Sequence, residues 1–225
     1  MNIINKDRIV EAYTGEYAAG KSEAALNRAL DLAARGRKVT LVDLDIVEPC
    51  YTLRPVQKKL IHRGVDVIAW ETKETIGLGE AGMLIKPEAR WALRRPGDII
   101  LDIGYGVEGI KTLKLLEGAS TDPDLTVICV VNTSRPMTSG VEQIVEHVRE
   151  MGRVDSLLNN THLAGETSVE VVQEGAGIVT RAAKNLGLPV VATTVPLAVA
   201  GQIGSFDCMG NPVRLLVGLM SKAFW

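Results

Sequence analysis

The sequence predicts a doubly wound α/β domain, a mostly parallel sheet with helices on both faces. Three observations carry that prediction. Short runs rich in Val, Ile and Leu recur along the chain, and they are continuous rather than alternating, as strands covered on both faces must be. Between them lie segments with apolar residues at helical spacing, so strand and helix alternate. The chain has 225 residues, 46% hydrophobic and 23% charged, enough for a sizeable core and too apolar for disorder.

In chain order, the expected strands cover 9–15 (IVEAYTG), 38–44, 65–70, 98–104, 125–132, 153–160 and 189–195. A helix over 22–35 repeats Ala and Leu and stops at Gly36. A second, over 138–151, has Thr138 as N-cap, Val141, Ile144, Val145 and Val148 on one face, and Gly152 as its stop. A third, over 167–186, is weakened by Gly175 and Gly177. The last is expected over 211–222, docked on the core because apolar residues nearly surround it. Segment 71–97 mixes glycines with charges and does not read as a strand. It is either a connector with one short helix or an insertion facing a partner or substrate. No repeat and no low-complexity linker divides the chain, so 1–225 is expected to be one domain.

Composition narrows the function. Net charge is −2, without the basic excess that nucleic-acid binding demands. Aromatic residues make up 4%, too few for stacking platforms. Cys50, Cys129 and Cys208 lie far apart with no C-x-x-C pair, which argues against a disulfide framework or a metal site made by one chain; reduced, mostly buried thiols are expected. The first residues, MNIINKDRIV, lack the apolar core of a signal peptide, and no run reaches the roughly 18 apolar residues of a membrane span. A cytoplasmic protein with no membrane span is expected, Phe224 and Trp225 being the one place left open for a peripheral membrane or partner contact. His62 and His147 read as helix-surface residues.

Residues 13–29 read YTGEYAAGKSEAALNRA and contain G-x-x-x-x-G-K-[ST], the Walker A phosphate-binding pattern. It follows one expected strand and opens the first expected helix, where loop amides and the helix N-terminus surround a β-phosphate. The expected cradle is Gly15, Glu16, Tyr17, Ala18, Ala19, Gly20, Lys21 and Ser22. Lys21 would bridge the β- and γ-phosphates, and Ser22 would give its hydroxyl to Mg²⁺. Glu16 and Tyr17 would point away from the phosphates. Carboxylates are needed to organise metal and water, and two strand ends supply them. LVDLDIVEP carries Asp43 and Asp45, two residues apart and on one face; Asp45 would position the attacking water and Asp43 a metal-bound water. IILDIGYG carries Asp102, the metal-side acid of a Walker B strand, followed by Gly104 and Gly106 as a mobile switch.

GEYAAGKS, VTLVDLDIVEP, ILDIGYG and LLNNTHL, in this order, resemble the ParA/MinD/Mrp group of P-loop ATPases over about residues 8–200. That group includes nitrogenase iron protein and CO-dehydrogenase maturation factors. The sequence is most similar to CobQ/CobB/MinD/ParA nucleotide-binding domain proteins, which share a GEY..GK loop and an N..RP.T segment, here Asn132, Arg135, Pro136 and Thr138. The resemblance implies Mg-ATP binding, dimerisation across two ATP molecules and a switch toggled by hydrolysis. It also implies that Asn160, beside Asn159, reads the base and that Pro196 lies in the second base-side loop. No acid follows at the guanine-reading position, where Leu163 and His162 stand, so adenine is expected. One departure matters: the group's signature lysine, which reaches a partner's phosphates, is Glu16 here. Either another cation such as Arg54 or Arg135 takes its place, or hydrolysis is slow, or the dimer is arranged differently.

Three functions stay open on the sequence. The first is an ATPase switch serving a client protein, with maturation of an enzyme or metal centre as one use. The second is a small-molecule ligase of dethiobiotin-synthetase or cobyrinate type, with Lys73, Lys86, Arg90, Arg94 and Arg95 lining an acceptor pocket. The third is a nucleotide-binding module with little hydrolysis.

Overall fold

The computed structural model describes residues 8–45, 53, 56–70 and 85–218. Its strands are β1 (Val10–Gly15), β2 (Val39–Leu44), β3 (Val65–Ile68), β4 (Asp98–Ile103), β5 (Leu125–Val131), β6 (Ser156–Asn159), β7 (Val190–Pro196) and β8 (Val213–Leu216). They form one eight-stranded sheet in the order β3-β2-β4-β1-β5-β6-β7-β8. Every neighbouring pair is parallel. The helices are α1 (Lys21–Ala34), α2 (Gln57–His62), α3 (Gly106–Lys111), α4 (Val141–Met151), α5 (Val169–Leu186) and α6 (Leu197–Ile203).

Strand side chains alternate between two buried faces, which is why the runs are continuously apolar. Tyr13, Leu41, Ile100, Ile128 and Leu158 pack with α1 and α2 on one side. On the other, Val42, Leu101 and Val127 meet the 3-10 helix Pro87–Arg94, and Cys129, Val131 and Leu157 meet α4 and α5. Each fully buried Leu or Ile among these contributes about 1.5–3 kcal/mol of transfer free energy. Beneath α1, the Tyr13 hydroxyl donates to Glu11 (2.7 Å), and Arg28 grips the same carboxylate at 2.9 and 3.0 Å. Arg214 of β8 donates to the Tyr13 oxygen at 3.2 Å, tying the sheet edge to its centre. Burial, then Glu11, pushes the Tyr13 hydroxyl far above its ordinary pKa.

Several sequence expectations change. The region expected as the last helix holds β8 instead, paired in parallel with β7 through Thr193↔Val213 to Pro196↔Leu216; a four-residue apolar run satisfies either period. Residues 219–222 of that expected helix, and Phe224 and Trp225, lie outside the described residues, as do Cys50, Arg54, Lys73 and the rest of 71–84. Thr138 does not cap α4: Gly140 takes that position and no side chain caps the helix. Ser168, by contrast, caps α5 by accepting from Val171 N–H. His147 is buried rather than on the surface, because α4 turns Ile144, His147, Val148 and Met151 inward. Cys129 is buried, and burial pushes its thiol up to about 12, whereas Cys208 is exposed. No described helix is long and apolar enough to cross a membrane.

Candidate functional site

The strand ends converge where β1 runs into α1. Gly15 closes β1 with φ +150°, and a Cβ there would lie 2.3 Å from the Val130 carbonyl oxygen of β5. Gly20 enters α1 at φ +89°, and a Cβ there would lie 2.2 Å from Asn160 Nδ2. Glycine is required at both places by contact as well as by backbone angle. Ala18 also adopts positive φ, +54°. No side chain caps the start of α1, so the first amides of this fourteen-residue helix face the loop with their dipole, a geometry suited to an anion.

Lys21 is buried, with 6% of its surface exposed. Its Nζ donates to the Glu16 carbonyl at 3.1 Å and lies 5.7 Å from the centre of the Tyr105 ring. Ala19 N–H donates to the same carbonyl at 3.2 Å. The cradle's inward donors thus rest on the loop's own oxygen, which a phosphate would replace. Tyr17 splays into solvent, its ring edge-to-face with Tyr105 at 6.0 Å.

Glu16 departs from expectation, since its side chain is buried rather than pointing outward. Its carboxylate accepts from Met137 N–H (3.3 Å) and from the Thr138 hydroxyl (3.1 Å). Arg135 Nε donates to the Ala18 carbonyl at 3.0 Å. The expected loop residues are therefore bound from outside by the turn after β5. From the sequence this turn was an N..RP.T pattern in which Arg135 was a candidate substitute for the missing lysine and Thr138 a helix cap; neither reading gave it the contact with the loop.

The acids meet on the α1 side of the sheet. Asp43 and Asp102 are register partners on adjacent strands β2 and β4. Asp45 follows β2, and its N–H donates to Asp43 Oδ1 at 3.1 Å. Asp102 is fully buried and neither carboxylate oxygen has a hydrogen-bond partner. Burial first, then the Asp43 charge, holds its carboxyl well above the usual range. The Ser22 hydroxyl, though short of full hydrogen-bond geometry, opposes the shift, and so does Lys21. These residues fit a Mg²⁺ ion. A buried, partnerless carboxylate beside a hydroxyl and a second acid matches a hard cation that keeps several waters and shares phosphate oxygens. Among the described residues no three acids, histidines or cysteines close an all-protein cage, which such a cation does not need.

Asn160 is fully buried and braces the loop. Its Nδ2 donates to the Ala19 carbonyl at 2.9 Å, and its Oδ1 accepts from the Thr194 hydroxyl. One N–H and one lone pair remain for a base. Asn159 turns into the core toward Thr193 (3.2 Å). Pro196 ends β7 and starts α6. His162 lies with Nε2 2.9 Å from Glu23 Oε1, and its Nδ1 accepts from Ala164 N–H. A separate, mainly apolar cavity of about 540 Å³ lies between α1 and β8, lined by Tyr13, Leu30, Leu158 and Leu215. Tyr13, in its wall, is the register partner of Asp102.

No family model matches the chain, and no curated protein is similar to it. Solved structures are similar in fold. Cell division protein FtsY from Thermotoga maritima matches at TM-score 0.53 and 16% identity, covering 87% of this chain and 64% of that one. The signal recognition particle receptor FtsY from Elizabethkingia anophelis gives 0.55 and 16%, covering 84% and 59%. Chloroplast FtsY from Physcomitrella patens gives 0.52 and 17%, covering 85% and 60%. The chain thus spans less than two thirds of these FtsY chains. At this identity the likeness is one of architecture: the chain shares the doubly wound α/β fold of these FtsY structures.

Proposed function

We propose that this chain is a Mg-ATP-dependent switch that hydrolyses ATP and serves a client protein in the cytoplasm. The observation that carries the reading is Asp102, a buried carboxylate without a partner, set beside Asp43 at the mouth of an uncapped helix that begins with Lys21. Such a group is costly to bury, and a cation explains its place. Lys21 would leave the Glu16 carbonyl for the β- and γ-phosphates. Gly20 and the first amides of α1 would hold the β-phosphate. Asp45 would orient water for in-line attack. Mg²⁺, when bound, supplies charge neutralisation at the phosphates.

The FtsY likeness supports a nucleotide-binding switch, and one of those structures, from E. anophelis, is in complex with GDP. Adenine is nonetheless the base proposed here. Leu163, 45% exposed, stands where a guanine-reading acid would be needed, and the nearby carboxylate Glu23 faces His162. The ParA/MinD resemblance supports a nucleotide-dependent homodimer and a role in enzyme or metal-centre maturation. The ligase reading draws little from the described cations. Arg90 and Arg94 lie over Trp91 and pair with Glu117, and Lys86 reaches the Ala69 carbonyl.

Calorimetric titration with ATP, GTP and ADP, with and without Mg²⁺, tests the reading. ATP should bind tighter than GTP, and Lys21→Ala should weaken it at least tenfold, roughly the value of one charge-assisted hydrogen bond. Asp45→Asn should keep binding and lower turnover by about 100-fold or more. Wild-type affinity in Lys21→Ala would falsify the site. Unchanged slow turnover in Asp45→Asn would leave a binding module.

A further inference from the structure

We propose that Glu16 and Arg135 are positioning residues that latch the turn 132–138 onto the outer side of the phosphate loop, so that nucleotide binding and the position of this turn form one equilibrium. The inference rests on the phosphate-site reading above and adds a regulatory element to it.

The latch has two arms from different residues of one turn. Arg135 Nε donates to the Ala18 carbonyl at 3.0 Å. Glu16 sends its carboxylate the other way, accepting from Met137 N–H at 3.3 Å and from Thr138 Oγ1 at 3.1 Å. Thr138 is fully buried and also donates back to the Asn132 carbonyl at 2.9 Å, while Asn132 Oδ1 accepts from Ser134 N–H. The turn is therefore internally braced and moves as a unit. A hydroxyl has one proton, so Thr138 serves either Glu16 or Asn132 at a given moment.

A peptide's carbonyl and the next N–H point in opposite directions. By holding the Ala18 carbonyl outside, Arg135 keeps the following N–H turned inward. Asn160 does the same at the Ala19 carbonyl from β6. The two together fix the peptides that must face phosphate, against the strain of Ala18 at φ +54°. Arg135 is partly exposed and is a positioning residue, because it meets the loop's carbonyl side. When a phosphate draws the amides and Lys21 inward, the Glu16 peptide loses Lys21, and its side chain carries the change to Met137 and Thr138. Met137 is 53% exposed, so the change reaches the surface in the 3-10 turn Pro136–Thr138 that precedes α4.

The experiment measures Mg-ATP and ADP affinity and hydrogen exchange of 132–141 for wild type, Arg135→Ala, Arg135→Lys, Glu16→Gln, Glu16→Ala, the Glu16→Ala/Arg135→Ala double variant and Lys21→Ala. Arg135→Ala should weaken both nucleotides about tenfold, the scale of one charge-assisted hydrogen bond, and Arg135→Lys should recover part of this. The double variant should cost no more than the worse single one, because both act through one turn. Nucleotide should protect 132–141 in wild type, less in Glu16→Gln and not in Glu16→Ala. Should Glu16→Ala not fold, Arg135→Ala and Glu16→Gln carry the test. The latch is overturned if Arg135→Ala and Glu16→Gln bind and protect like wild type while Lys21→Ala loses binding. If Lys21→Ala itself binds normally, the phosphate-site reading fails instead.

Discussion

Replacing Asp102 by Asn should make the metal-free protein more stable and the metal-loaded protein inactive. Asp102 and Asp43 are register partners on adjacent strands, and neighbouring strands lie about 4.8 Å apart. Two full charges at that distance repel by about 3 kcal/mol at an effective dielectric constant near 20. Lys21 and Ser22 offset part of this. Asparagine keeps the shape, removes one charge and offers N–H groups to Asp43, so a gain of about 1–3 kcal/mol is expected at neutral pH without Mg²⁺. In a chain of this size that raises the melting temperature by about 2–4 °C per kcal/mol. The pH dependence has a definite sign. The folded-state carboxyl titrates above its unfolded value, so the stability it supplies is fully present below about pH 4, the unfolded range for Asp. It declines as pH rises and is gone once pH passes the folded value. Urea melts in EDTA from pH 5 to 8 should show this decline in wild type and lose it in the variant. Adding Mg²⁺ and ATP should stabilise wild type far more than Asp102→Asn. A variant less stable than wild type at pH 7.5 in EDTA, or one that keeps the wild-type slope, refutes the reasoning.

Gly15→Ala should destabilise by about 2–4 kcal/mol, since its Cβ would meet the Val130 carbonyl of a central strand at 2.3 Å in a backbone region that alanine avoids; an unchanged urea midpoint would contradict this. Asp98 is buried, and although burial opposes it, the Arg37 hydrogen bond holds its carboxyl below the usual range. Its stability is therefore present above about pH 4 and lost as pH falls through the lower folded value; Asp98→Asn should cost about 1.5–3 kcal/mol at pH 7 and flatten the acid limb of the stability curve. Turnover per chain should stay constant as protein concentration rises, because Glu16 offers no cation to a neighbour; a second-order rise, read by phosphate release, would show that another group acts in trans.

The strands from 9–15 to 189–195 were legible because burial on both faces leaves continuous Val/Ile/Leu runs, and each lies within two residues of its expected place except β6, which starts three residues late at Ser156. The placement of the glycine loop between β1 and α1, and of Asp43, Asp45 and Asp102 at strand ends, was legible because these positions are local to a strand end. The β8 segment was not, since VRLL fits strand and helix alike and only pairing with β7 decides it. Thr138 was read as a helix cap on its type, whereas its hydroxyl is claimed by Glu16, 122 positions away. His147 was placed outside by its polarity; the helix phase set by Ile144 and Val148 turns it in. For β8 and Thr138 the role is fixed by a partner distant in sequence, which periodicity does not encode, whereas His147 lies on the face that the helical period itself turns inward.

Glu16 separates two ways of completing such a site. In the resembled ATPases a lysine at this position serves a neighbouring subunit's phosphates. Here both carboxylate oxygens face the chain's own turn, and an anion there would repel phosphate brought from another copy. The loop is instead held between two flanks of one sheet. Acids from β2 and β4 stand on one side of β1, and the turn after β5, with Asn160 from beyond β6, stands on the other. Lys21 rests on the Glu16 carbonyl, and the same residue's side chain grips the turn; in the proposed cycle, loss of a phosphate would return Lys21 to this contact. Under the proposed function, signal and site would share one residue, and a client docking near Met137 would sense hydrolysis without a second chain supplying charge.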